Sequence, residues 1–218
     1  MKYIIANWKM NLTLETLTKW VKGISDIKKI LKDDKKVILA PSHIHISLIH
    51  ELTNETDIYL SAQDVSIEDS GAHTGDTGAA QIKEFCKYCI VGHSERGEDK
   101  ETVLKKRDLC LEKNIIPIVC FVEPELASEY FKEGAILAWE DPKNISKDGK
   151  YSVKDPSEIK SGVEKIRSTL PEDTPLVYGG SVNRENINDI AKLDNVDGVL
   201  VGYASLDPEH FIDIIGAY

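Results

Sequence analysis

Short apolar runs alternate with longer amphipathic segments along the whole sequence. The runs are three to six residues long, and polar turns separate them from segments that have apolar residues at helical spacing. Most runs are continuous in Val, Ile and Leu, which is typical of parallel strands covered on both faces. The predicted strands are Tyr3–Ala6, Val37–Ala40, Ile58–Ala62, Tyr88–Val91, Ile116–Phe121, Ile136–Trp139, Leu176–Tyr178 and Gly198–Val201.

The segments between these strands predict helices. Leu14–Leu31 has its apolar residues at helical spacing, and Thr102–Lys113 and Pro156–Leu170 repeat that pattern. Asp207-Pro208-Glu209 predicts the start of the last helix, because it combines an N-cap residue with proline in the first turn. The segment from Glu123 to Lys132 is brief and predicts a trimmed helix.

Eight strands that alternate with helices predict a (β/α)₈ barrel, an α/β fold. We expect one domain over residues 1–218, near the short end of the usual range for this fold. A doubly wound open sheet is the alternative, but it usually has a Gly-rich turn after its first strand. Here Asn7-Trp8-Lys9 follows the first strand. In a barrel, the active site lies at the carboxyl ends of the strands.

Polar and glycine residues follow several predicted strands. They are Asn7 and Lys9 after the first strand, His93, Glu95 and Arg96 after the fourth, Glu140 after the sixth, Gly179-Gly180-Ser181 after the seventh and Gly202 after the eighth. We expect Gly179-Gly180-Ser181 to open a helix, where backbone N–H groups bind anions. Together with Gly202, this turn predicts a phosphate site.

These strand ends favour proton abstraction next to a carbonyl group. Glu140 would be the base, His93 would donate a hydrogen bond to the carbonyl oxygen, and Lys9 would stabilise developing negative charge. An aldol cleavage is one rival, but it would need a Schiff-base lysine or a metal cluster, and Lys9 is the one plausible strand-end lysine. A phosphosugar-binding protein without catalysis is the other rival.

Composition narrows the class of protein. The formal net charge of −10 argues against nucleic acid as a partner. Hydrophobic residues make up 41% and charged residues 29%, as in ordinary globular proteins. We find no apolar run long enough for a membrane span and no signal peptide, so we expect no membrane association and a cytoplasmic location.

Cysteine and histidine spacings do not predict a metal site. Cys86 and Cys89 have Cys-x-x-Cys spacing, but no second pair completes a zinc site. Cys110 and Cys120 lie in apolar patterns and predict core positions. We interpret His43-Ile44-His45 as the start of the second helix, and we expect neither a metal nor a cofactor.

Six short stretches form a recognisable set of motifs, in this order along the chain: Ala6-Asn7-Trp8-Lys9-Met10-Asn11, Ser61-Ala62-Gln63-Asp64-Val65, Gly71-Ala72-His73-Thr74-Gly75, Val91-Gly92-His93-Ser94-Glu95-Arg96, Tyr178-Gly179-Gly180-Ser181-Val182 and Gly198-Val199-Leu200-Val201-Gly202. Together they resemble the motifs of the triosephosphate isomerase family. The resemblance covers essentially the whole chain and implies a TIM barrel.

The resemblance implies a cofactor-free enzyme of glycolysis and gluconeogenesis that interconverts dihydroxyacetone phosphate and glyceraldehyde 3-phosphate. A glutamate base working with a neutral histidine is the established arrangement in this family, and these roles fall on Glu140 and His93. The substrate-binding asparagine and lysine fall on Asn7 and Lys9.

Further roles follow from the same resemblance. Glu95 matches a buried supporting carboxylate, and Ser181 and Gly202 match the phosphate loops. Thr74, at the tip of the long polar loop Asp69–Asp76, matches a residue that reaches the active site of a partner subunit. The resemblance therefore implies a homodimer, with a larger oligomer as the alternative.

The sequence departs from the family pattern in three places. The segments after strands four and five are shortened, and Tyr203 follows Gly202 where a second glycine is common. The lid after strand six, Asp141–Tyr151, commonly ends in Ile-Gly-Thr-Gly in the family. An alignment without gaps places Ile145-Ser146-Lys147-Asp148 at those positions. If one residue is inserted, Gly149-Lys150 aligns with the end of the lid instead. We expect the Ser146 N–H and Tyr203 to contact substrate, and we expect the lid to close less favourably than in the family.

Overall fold

The computed structural model describes residues 1–24, 34–141 and 153–218. Residues 25–31 of the predicted helix Leu14–Leu31 lie outside this description, as do lid positions 142–151. Nothing in the described helices is long and apolar enough to cross a membrane.

Eight parallel strands close into a barrel in which each strand pairs with its neighbours in chain order. The strands are β1 Lys2–Asn7, β2 Lys35–Ala40, β3 Ile58–Ala62, β4 Tyr88–Val91, β5 Ile116–Phe121, β6 Ile136–Trp139, β7 Leu176–Tyr178 and β8 Gly198–Val201. The predicted (β/α)₈ barrel is confirmed. The bounds of β3 to β8 agree with the prediction, whereas β1 and β2 extend into polar residues.

The α-helices in the described part of the chain are α1 Leu14–Gly23, α2 Ile46–Thr53, α3 Ala79–Lys83, α4 Lys100–Glu112, α5 Ala127–Tyr130, α6 Pro156–Arg167, α7 Ile187–Ala191 and α8 Pro208–Gly216. Asp99, Asp155 and Asp207 cap α4, α6 and α8 with their carboxylates, which accept from backbone N–H groups of the first turn.

The shortening that we expected after two strands falls mainly after β5. There, α5 has 4 residues and follows a single 3₁₀ turn, Pro124–Leu126. After β4, the helix α4 has 13 residues, so this helix is not trimmed. Only the loop before it is short, running from the 3₁₀ turn Ser94–Arg96 to the N-cap Asp99.

Two apolar layers hold the barrel together. The inner layer fills the barrel and includes Ile5, Ile38, Ile90 and Leu200. The outer layer lies between the strands and the helices and is the larger of the two. Burial of such continuous apolar strands on both faces is the main stabilising contribution to a fold of this kind.

One glycine allows the first and last strands to pair closely enough to close the barrel. Tyr3 pairs with Gly198 where β1 meets β8. Gly198 has φ 148°, and a Cβ there would lie 1.8 Å from the carbonyl oxygen of Tyr3. Only glycine allows the two backbones to approach this closely.

Candidate active site

The carboxyl ends of β1, β4, β6, β7 and β8 surround one cavity. Its lining includes most of the residues predicted from strand ends: Asn7, Lys9, His93, Glu140, Ser181, Gly202 and Tyr203, together with Gly179, Val182 and Leu200. Because the parallel strands all end at this face, side chains far apart in sequence meet here.

Glu140 and His93 are in direct contact at the centre of the cavity. The Nε2 atom of His93 lies 3.0 Å from Oε1 of Glu140, whose side chain is only 2% exposed. The Glu95 N–H donates to Nδ1 of His93 at 3.2 Å. Because Nδ1 accepts this bond, a neutral His93 ring must carry its hydrogen on Nε2, where it points to the Glu140 carboxylate.

The other oxygen of Glu140 is held by the segment that follows His93. Its Oε2 accepts from the Ser94 N–H at 3.0 Å, and the Glu140 N–H donates to the carbonyl of Phe121 at 2.9 Å. A buried carboxylate needs such donors, because its charge is otherwise poorly solvated. Both carboxylate oxygens and the backbone of Glu140 are therefore fixed.

Cys120 lies against the same carboxylate. Burial raises the pKa of its thiol well above the usual range, and the charge of the Glu140 carboxylate and a hydrogen bond to it raise that pKa further. The thiol therefore stays protonated and acts as a donor to Glu140. The sequence pattern predicts Cys120 only as a core residue, because residue spacing does not show that Glu140 lies beside it at the end of the neighbouring strand.

Lys9 enters the cavity from β1 through a strained backbone. Its φ is 50°, and its N–H donates to Oδ1 of Asn7 at 3.1 Å. Its carbonyl accepts from Oγ of Ser42 at 3.0 Å and from Nε2 of Gln63 at 2.9 Å. These three side chains hold the left-handed conformation, which a non-glycine residue rarely adopts. The sequence predicts no role for Ser42 or Gln63 at this site, because residue patterns do not show which side chain binds a backbone carbonyl.

The ammonium group of Lys9 binds Glu95. Nζ lies 2.6 Å from Oε1 of Glu95, and the Glu95 side chain is 51% exposed. The sequence-based expectation that Glu95 is buried is wrong for this chain, because the 3₁₀ turn Ser94–Arg96 directs the side chain to the rim of the cavity. Glu95 thus orients Lys9 from the solvent side.

The side of the cavity formed after β7 and β8 differs from the prediction in one respect. Ser181 has φ 44° and begins no helix, because α7 starts only at Ile187. The carbonyl of Ser181 instead accepts from Nδ2 of Asn183 and Nδ2 of Asn186, both at 3.1 Å. The expected helix N-terminus is therefore absent from this turn, and any anion site here consists of loop backbone.

Gly202 lies next to Lys9. A Cβ at Gly202 would be 3.3 Å from Cε of Lys9, so a side chain here would press on the lysine. Tyr203 follows at the rim of the cavity and is 51% exposed. Ser146, the remaining predicted contact, lies outside the described residues.

The predicted subunit contact, Thr74, lies far along an exposed loop. All residues from Gly71 to Asp76 are exposed. A second cavity of about 420 Å³ lies at the base of this loop and is lined by residues that include His43, Asp64 and Arg96.

The described residues contain no group of three or more His, Cys, Asp or Glu side chains that could hold a metal ion. Cys86 and Cys89 are both buried free thiols, and His43 and His45 form a 3₁₀ turn that leads into α2, as predicted.

A closed barrel whose mouth brings a buried carboxylate onto an imidazole is typical of enzymes that move protons. The Triosephosphate isomerase family model matches residues 2–218, and the chain belongs to that family of isomerases.

Similar proteins from bacteria bear the same family name. The chain is 36% identical over 244 residues to the triosephosphate isomerase of Mesomycoplasma hyopneumoniae strain 7448, covering 98% of each chain. It is 32% identical over 239 residues to that of Dehalococcoides mccartyi strain CBDB1, covering 97% of this chain and 94% of the relative. A third, from Buchnera aphidicola, is 30% identical over 252 residues, with 98% and 96% covered.

Proposed function

We propose that this isomerase interconverts dihydroxyacetone phosphate and D-glyceraldehyde 3-phosphate, with Glu140 as the base and His93 as the electrophile. The observation that carries the proposal is the 3.0 Å contact between Nε2 of His93 and the 2% exposed carboxylate of Glu140. A base and a hydrogen-bond donor at this distance can act on adjacent atoms of one small substrate.

In the proposed reaction, Glu140 removes a proton from the carbon next to the carbonyl group. The Nε2–H of His93, which donates to Glu140 before substrate binds, donates instead to the carbonyl oxygen, where negative charge develops. Lys9 adds positive charge at the same place, and Asn7 fixes the backbone of Lys9. His93 carries the proton of the adjacent hydroxyl group to the former carbonyl oxygen, and Glu140 returns its own proton to the former carbonyl carbon. The carbonyl group thereby moves to the neighbouring carbon, and no cofactor is needed.

The phosphate group of the substrate would lie between Lys9, Ser181, Gly202 and Tyr203, which line one side of the cavity. The approach of Gly202 to the Lys9 side chain supports this placement, since a phosphate there would meet both backbone and an ammonium group. The chain's net charge of −10 makes such local donors necessary for an anionic substrate.

The contact of Lys9 with Glu95 supports isomerisation over aldol cleavage. A Schiff-base lysine must act as a neutral amine, whereas the Lys9 ammonium is bonded to a carboxylate at 2.6 Å. That geometry suits an electrostatic role.

We further propose a single-domain, cytoplasmic enzyme that forms a homodimer or a larger oligomer, with Thr74 at the subunit contact. The exposure of the whole Gly71–Asp76 loop supports this assembly, because such a surface is available to a second copy.

The test is direct turnover. Purified protein is mixed with D-glyceraldehyde 3-phosphate in D₂O, and the reaction is followed by proton NMR. We expect formation of dihydroxyacetone phosphate with deuterium next to the carbonyl group. Binding of substrate without conversion or exchange would instead identify a phosphosugar-binding protein and overturn the proposal.

A further inference from the structure

Four charged side chains meet behind the candidate active site, outside its cavity. Nζ of Lys106, on α4, lies 2.6 Å from Oδ1 of Asp64 and 2.5 Å from Oε1 of Glu98, and the lysine side chain is 5% exposed. Nη2 of Arg96 lies 2.6 Å from Oδ2 of Asp64. This charge cluster, consisting of Asp64, Arg96, Glu98 and Lys106, joins the end of β3, the loop after β4 and α4.

The loop that the charge cluster holds carries three contacts of the active site. The Ser94 N–H donates to Glu140, and the Glu95 N–H donates to His93. The Glu95 carboxylate binds Lys9. Arg96 and Glu98 anchor the same loop one to four residues further along the chain, so a shift of the loop would move all three contacts together.

Lys106 is the least replaceable member of the charge cluster. It separates two carboxylates that are both mostly buried, with 17% of Asp64 and 11% of Glu98 exposed. The second oxygen of Glu98, Oε2, is buried without a hydrogen-bond partner among the described residues. Removing one partner of a buried ion pair leaves a charge that nothing compensates. Arg96, at 53% exposure, is too solvated to replace the lysine.

We propose that Lys106 is a positioning residue for Glu140 and His93: it holds the loop Ser94–Glu98 in the geometry that the reaction requires. The catalytic part of this inference depends on the proposed function. Without Lys106, repulsion between Asp64 and Glu98 drives Glu98 toward solvent, and the loop moves with it.

The first test is Lys106→Met, which keeps the length of the apolar stem and removes the charge. We expect kcat to fall roughly 10- to 10²-fold, since a displacement of about 1 Å can lower a rate 10²-fold. KM should change less than kcat, because the loss is in the transition state. The matched control is Lys105→Met on the same helix, where the partner Glu101 is exposed. This control should leave kcat unchanged.

The second test distinguishes charge from packing. In the double variant Lys106→Met/Glu98→Gln, Asp64 and Arg96 remain as a balanced pair, so we expect most of the lost kcat to return. If Lys106 only packs, the second substitution removes another contact and restores nothing. A double variant as slow as the single variant would therefore overturn the proposal.

A third readout does not require turnover. Hydrogen–deuterium exchange of the backbone amides from Ser94 to Glu98 should accelerate in Lys106→Met and return toward the wild-type rate in the double variant. If the wild type fails to isomerise triose phosphates, the proposed function fails, while this exchange still decides the role of Lys106. If Lys106→Met does not fold, Asp64→Asn replaces it and should accelerate the same amides to a smaller extent.

Two results would contradict the inference. One is unchanged exchange from Ser94 to Glu98 in the folded variant. The other is a loss of kcat that disappears as the protein concentration rises and follows the sedimenting mass, because Lys106 would then act through subunit association.

Discussion

Two polar loops that follow neighbouring strands differ in how they are held. The loop Ser94–Glu98, after β4, is anchored by buried charges and makes hydrogen bonds to Glu140 and His93. The loop Gly71–Asp76, after β3, is exposed throughout, and its described hydrogen bonds stay within the loop or reach its base at Ser66.

The comparison separates two uses of a polar loop. Groups that act on a substrate must be held in place before it arrives, because electrostatic stabilisation depends on preorganised donors. A loop that leaves its polar groups to solvent is instead suited to contact another molecule. The sequence predicts function for both loops but does not show which of the two is fixed.

Glu140→Gln should have the largest effect, because it removes the proposed base, which the anchored loop Ser94–Glu98 holds in place. We expect kcat to fall about 10⁴-fold, at the upper end of the range for acid–base catalysis. The affinity for a non-reactive phosphate-bearing analogue should stay near that of the wild type, as measured by calorimetry. A variant that keeps near wild-type kcat would show that the base is elsewhere.

His93→Ala removes the donor that faces Glu140. We expect kcat to fall roughly 10²–10⁴-fold, the span of acid–base and oxyanion contributions. Circular dichroism should show an unchanged fold, since His93 lies at the mouth and not in either apolar layer. An undiminished kcat would remove His93 from the mechanism.

Replacement of Ala72–Gly75 by a short turn tests the exposed loop. We expect monomers, because Thr74 is lost from the proposed subunit contact, and kcat should fall roughly 10²-fold through displacement of Lys9 and Asn7. Sedimentation velocity measures the assembly and the turnover assay measures the rate. An oligomer of unchanged mass would mean that this loop is not the subunit contact.

Glu95→Gln should have the smallest effect, although Glu95 belongs to the anchored loop. Its carboxylate is half exposed, and exposed ion pairs contribute only about 0–1 kcal/mol. We expect kcat/KM to fall less than about 10-fold, with Lys9 kept in place by its backbone contacts. A loss as large as that of His93→Ala would show that Glu95 takes part in the reaction itself.

Much of the fold could be predicted from the sequence, because continuous apolar runs identify parallel strands. The strand bounds that differ lie at polar residues: β2, for example, begins at Lys35, which is buried and donates to the carbonyl of Ile215. Hydrophobic patterning excludes such a lysine from a strand, although hydrogen bonding makes its burial possible.

The candidate site could be predicted only where a side chain follows a strand directly. His93, Glu140 and Lys9 meet this condition. Gln63 and Ser42 also follow strands, but they bind the backbone carbonyl of Lys9. Lys106 binds carboxylates from distant segments. No local spacing reveals contacts of either kind. The turn at Ser181 was predicted as a helix start from its glycines, but the asparagines that cap its carbonyl delay α7.

The protonation of His93 in a ligand complex tests the central claim most directly. Nitrogen-15 NMR of the imidazole would be recorded at pH 7 with and without a non-reactive phosphate-bearing analogue. We expect a neutral ring in both states, with the hydrogen on Nε2, whose signal shifts as its partner changes from Glu140 to the ligand. A doubly protonated ring in the complex, or an Nε2 signal that the ligand leaves unchanged, would contradict the pairing of Glu140 and His93 as base and donor.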